Sequence, residues 1–116
     1  MTALQNQFQV SVALTASQQD LNLVSVWAGR FPGFRVLVTI LINATTAGVR
    51  MVVSSGTEAM VPKSQVQGGG TAGVLPSSLN ATPIQFVCDG AEIQVLVTEV
   101  LAGTPTVNLA ISWEAV

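Results

Sequence analysis

The sequence has no histidine, no tyrosine and a single cysteine, and only 9% of its 116 residues are charged. Each shortage excludes a class of chemistry. Without histidine there is no base for a serine triad. The lone Cys88 can form no internal disulfide. It sits in the apolar run "IQFVC" and is followed by Asp89 rather than by a cation that would favour its thiolate. It therefore reads as a small buried hydrophobe. Nucleic-acid binding needs many cationic contacts to phosphate. One lysine and three scattered arginines do not supply them, so no nucleic-acid partner is expected. No apolar run approaches the roughly 18 residues of a membrane span; "VLVTILI" at 36–42 is the longest candidate and suits a strand. No membrane partner is expected either. The opening "MTALQNQFQV" lacks a basic segment followed by an apolar one, which predicts a chain made in a cytosol and used without cleavage.

What is abundant is the uncharged polar side chain. Thr, Ser, Asn and Gln together make 34 residues, against four cationic and six acidic ones. Soluble domains usually carry about 25% charged residues, which help to keep them apart. Hydroxyls and amides are cheaper to strip of water than charges. Such a surface suits a protein whose outside is largely covered by partners.

The length fits one domain, 1–116, with a core of its own. Its dominant period is two. "FQVSVAL" places Phe8, Val10 and Val12 on one face, and "TVNLAISW" does the same with Leu109 and Ile111. "AEIQVLVTE" aligns Val95 and Val97, and "FRVLVTILIN" aligns Val36, Val38 and Ile40. These ten residues form the predicted core, on half-buried strands rich in β-branched residues. "LNLVSVW" at 21–27, "VRMVVS" at 49–54 and "IQFVC" at 84–88 are further strands. Only "TASQQDLNL" at 15–23 could hold a turn or two of helix. Cys88-Asp89-Gly90-Ala91 carries the Asp-Gly signature of a two-residue hairpin. "FPGF" at 31–34, "NATTAG" at 43–48 and "AGTP" at 102–105 mark other turns. The prediction is an all-β antiparallel sandwich, jelly-roll-like, of seven to eight short strands.

Two features depart from plain alternation. In the strand around Val36–Ile42, Leu37 and Leu41 put apolar groups on the face opposite the core. A sandwich covers one face of each sheet, so these two call for a cover, and a second subunit is favoured over a folded-back loop. The segment "KSQVQGGGTAGVLPSSLNATP" at 63–83 is far longer than the usual connection of about two to six residues. It carries no catalytic group, only Val66, Val74, Leu75 and Leu79 among glycine, serine and proline. It reads as an extended arm that lies along a neighbour. Deleting 67–77 is expected to leave the sandwich folded, since loop length enters stability weakly. Leu37, Leu41, Val66, Val74, Leu75 and Leu79 are the predicted protein-contact residues.

Other motifs fail on inspection. "GGGTAG" at 68–73 lacks the Lys-Ser or Lys-Thr and the helix of a phosphate loop. Asp89 and Glu92 flank one turn, but Ca²⁺ takes about six to eight oxygen ligands. Glu92 and Glu99 are seven apart on one strand, hence on opposite faces, which breaks a carboxylate dyad. Asn43-Ala44-Thr45 and Asn80-Ala81-Thr82 match the glycosylation pattern without a signal sequence to make it meaningful. Trp27 and Trp113 sit on patterned strands, which favours core or interface over sugar stacking. No catalytic residue, metal site or cofactor is predicted.

With its uncharged strands, the stretch "DGAEIQVLVTEVLAGTPTVNLAISW" at 89–113 and the Gly-rich arm, the chain resembles small β-sandwich virion proteins of tailed bacteriophages, the capsid cement or decoration class. The likeness is one of overall style. It implies a non-enzymatic homo-oligomer, commonly a trimer, seated on a shell of major capsid protein and assembled in the host cytoplasm. Two other readings stay open: a carbohydrate- or receptor-binding sandwich, and a single jelly roll that itself forms the shell.

Overall fold

The computed structural model describes residues 7–15, 21–74, 76, 81, 83–101 and 103–116. Among these residues there are eight strands: β1 (Gln7–Ala13), β2 (Leu21–Asn22), β3 (Val36–Ala44), β4 (Val49–Ser55), β5 (Glu58–Gln65), β6 (Ile84–Cys88), β7 (Ile93–Val100) and β8 (Thr106–Ala115). They build two antiparallel four-stranded sheets, ordered β1-β8-β3-β6 and β2-β7-β4-β5. The first strand pairs with the eighth, the second with the seventh, the third with the sixth and the fourth with the fifth. The chain is thus one long hairpin, with its tip at 55–58, rolled so that β3 meets β8 and β4 meets β7. That connectivity is a jelly roll. The one helical element among the described residues is a 3₁₀ turn at Ala28–Arg30.

The core lies between the sheets. Val36, Val38, Ile40, Val95, Val97, Leu109 and Ile111 are buried there as the alternation predicts. Phe8, Val10 and Val12 are only partly buried and pack against the core, because β1 is an edge strand that has, among the described residues, a neighbour on one side alone. Both tryptophans are core residues. Trp27 stacks on Phe8 at 6.1 Å. Trp113 donates its Nε1–H to the carbonyl of Gly29 at 2.7 Å and meets Phe34 edge-on.

Three expectations change. The Asp89-Gly90 turn joins no hairpin: β6 lies in the first sheet and β7 in the second, so the turn carries the chain around a corner of the sandwich. Gly90 is required there by close approach and a φ of 95°, since a Cβ would collide with the backbone of Gly33 and Phe34. The segment 21–27 is a strand only at Leu21–Asn22 and then turns. The helical reading of 15–23 is not seen at Leu21–Leu23, and residues 16–20 lie outside the described ones. β5, absent from the sequence reading, is an edge strand carrying Pro62 and Lys63, with register shifts against β4. Such features are tolerated at an edge and erase the period-two signal.

Candidate functional site, an uncharged sheet face

The two outer faces differ in charge. On the second sheet, Glu99 of β7 takes Arg50 at 3.4 Å from β4 and Lys63 at 3.3 Å from β5. On the first sheet, Glu114, near the end of β8, is the one charged residue on all four strands. Gln7, Gln9, Ser11 and Ala13 of β1 point outward, followed across the sheet by Thr106, Ala110 and Ser112 of β8. Leu37, Thr39 and Leu41 of β3 come next, then Gln85 and Val87 of β6. Leu41 stands opposite Ala110, and Leu37 lies between Glu114 and Val87. Leu37 and Leu41 are half-buried, and each lines a shallow trough in this face, of about 260 and 210 Å³.

One end of the face is closed by the chain itself. Beyond β5, Val66 donates its N–H to the carbonyl of Val49, and the carbonyl of Gln67 accepts from Ala44. Gly70 donates to the carbonyl of Ala44. Asn108 Nδ2 donates to Asn43 Oδ1 at 2.9 Å and to the carbonyl of Thr71 at 3.0 Å, while its Oδ1 accepts from Gly73 N–H and from the Ser11 hydroxyl. Asn43 and Asn108 are fully buried beneath this strap. Buried amides are tolerable because they are bonded. Asn43 Nδ2 is the exception and has no partner among the described residues. The strap lies so close that a Cβ on Gly70 would collide with the Asn43 amide. The glycine run is therefore a close-packing device over two buried asparagines.

The strap revises the reading of 63–83 as an arm. Lys63–Gln65 belongs to β5, and 66–73 is bound to its own sandwich. Val66, a predicted contact residue, is 1% exposed and part of the chain's own core. It cannot reach a neighbour without opening the edge. Val74 is exposed. Leu75 and Leu79 lie outside the described residues, as does Asn80. Asn43 of the first glycosylation match is buried.

The acidic groups are dispersed. Glu92 takes Arg30 at 3.1 Å and the amide of Gln94, which removes it from any shared site with Asp89. Asp89 is fully in solvent, 3.9 Å from Arg35. Among the described residues no three His, Cys, Asp or Glu side chains come together in a metal-binding group. A cavity of about 330 Å³ beside the strap is lined by Ile42, Met51, Val66, Ile84 and other groups that do not titrate. Among the described residues no helix is long and apolar enough to cross a membrane. No protein-family model matches the sequence, and no curated protein does.

Proposed function

We propose that the chain is a structural virion protein of the capsid cement or decoration class, a homo-oligomer, in trimeric form, that stabilises a shell of major capsid protein through protein–protein contacts. The observation that carries this is the outer face of the first sheet, where Leu37 and Leu41 sit in a field of Thr, Ser, Gln and Ala with charge only at its end. A partner that covers this face desolvates hydroxyls, amides and methyl groups at low cost. The same face offers little to a small substrate, having shallow troughs in place of a pocket.

The jelly-roll strand order favours a second reading, a shell-forming subunit, since capsid domains use this architecture. The carbohydrate reading loses support, because Trp27 and Trp113 are buried and present no stacking platform. Electron microscopy of purified protein separates the first two: a shell former closes particles alone, whereas a cement protein binds only to shells already built.

The face is tested by Leu37→Arg/Leu41→Arg. Both side chains point away from the core, so the far-ultraviolet spectrum is expected to stay that of wild type. Burying two cations in an interface costs several kcal/mol, and each ~1.4 kcal/mol is tenfold in affinity. Solution mass is expected to fall below that of the trimer and shell binding to weaken at least about 100-fold. Unchanged mass and binding would remove the face from the proposal.

A further inference from the structure

The four sheet edges are not alike. β2 has two residues. β6 has five and follows Pro83. β5 carries Pro62, Lys63 and irregular register. These are the ways proteins blunt an edge against pairing with another chain. β1 has none of them: "QFQVSVA" is seven residues without charge, proline, glycine or register shift.

The direction of its free backbone groups follows from one bond. Leu14 donates to the carbonyl of Pro105 at 2.8 Å, continuing the β1–β8 register. Antiparallel pairs alternate between bonded and non-bonded, so Phe8, Val10 and Val12 bond to β8. The N–H and C=O groups of Gln7, Gln9, Ser11 and Ala13 therefore point away from the sheet. Within the described residues, β8 is the only strand paired with β1.

We infer that β1 is a self-pairing edge that binds β1 of a second copy, antiparallel, about a twofold axis at Val10. This rests on the reading of the chain as a self-associating protein and adds the contact it uses. With the axis at Val10, Gln9 bonds Ser11 of the copy and Gln7 bonds Ala13. Every outward N–H and C=O of the four residues is then satisfied. No other centre on the strand uses all four. The two Val10 residues meet as a non-bonded pair, and no like charges oppose each other. The two first sheets become one continuous sheet of eight strands, with their uncharged faces side by side. A twofold contact joins one unit to one other, so in a trimer it links neighbouring trimers.

Two experiments test the register. Gln9→Pro removes an outward N–H and leaves the β1–β8 bonds in place, a substitution edge strands accept. It is expected to halve the mass of the largest species wild type forms and to raise the midpoint concentration of that association about tenfold or more. Val10→Cys in a Cys88→Ala background is the second. Facing Cα atoms in a non-bonded pair lie about 4.5 Å apart, within disulfide range. Oxidation is expected to link Val10→Cys into dimers faster than Ser11→Cys, although Ser11 is the more exposed of the two. Faster linking of Ser11→Cys, or of neither, overturns the inference. If the Leu37/Leu41 variant disperses the protein while Gln9→Pro leaves its mass unchanged, the edge is discarded and the proposed function stands.

Discussion

Val97→Asp is expected to yield no folded protein. Val97 is 0% exposed. It lies on β7 between Leu21 of β2 and Met51 of β4, and points at the opposite sheet. The substitution removes a buried valine side chain, worth about 1.5–3 kcal/mol. It also introduces a carboxyl that must either stay ionised in an apolar layer or take up a proton without a partner, at several kcal/mol. Domains hold only about 5–15 kcal/mol in total. The expected readings are a far-ultraviolet spectrum without sheet and no cooperative thermal transition. Leu96→Asp, one residue away, points to the outer face and is expected to fold. A strand slipped by one residue would reverse the two outcomes, so the pair measures register as well as burial. A folded Val97→Asp protein would overturn the assigned core.

Deleting 67–77 is expected to destabilise the sandwich strongly, contrary to what loop length alone suggests. The deletion takes away the Gln67 carbonyl that accepts from Ala44, the Gly70 N–H bonded back to Ala44, and the partners of Asn108 at Thr71 and Gly73. Four bonds at about 0.5–1.5 kcal/mol each give a loss of about 2–6 kcal/mol, and a thermal midpoint lower by roughly 10–20 °C. Scanning calorimetry reads this directly. A finer version compares two neighbouring glycines. Gly69 has open space around it and a φ of 90°, so Gly69→Ala carries a conformational penalty of order 1 kcal/mol. Gly70→Ala drives a methyl group into the Asn43 amide and lifts the strap. It is expected to cost more. Equal midpoints for the two variants, or a deletion as stable as wild type, would show that the strap contributes nothing.

Much of the architecture is legible in the sequence because a strand with one face in a core must alternate. β1 and β3 do so over seven residues, and β7 over six. β5 is not legible, since its core contacts Met60 and Val61 are adjacent rather than alternate, and Pro62 and the register shifts break the period. The Asp89-Gly90 corner is misleading for another reason. A hairpin and a crossover between sheets make the same local demand, a positive φ in a tight space, and only the distant partner of β6 distinguishes them. The candidate face is half legible. Leu37 and Leu41 stand out as apolar groups on the wrong side. The asparagine pair does not, because Asn43 and Asn108 are 65 residues apart and each looks like an ordinary outward polar residue of a strand. Their cover, the glycine run, reads as slack chain until its neighbours are known.

The rolled-hairpin connectivity has a kinetic consequence. β8 lies between β1 and β3, and pairs with both along nearly their whole lengths. Until Thr106–Ala115 leaves the ribosome, the first sheet has a gap at its centre: β1 has no partner, and β3 holds only the short β6. Folding of the first sheet must therefore wait for β8 and is governed by contacts of large sequence separation, which places it among slow, millisecond-to-second folders. During that interval the uncharged β1 is exposed on both edges, to other nascent chains as well as to its own β8. Synthesis rate and chaperone supply should control the yield of native protein more than its final stability does.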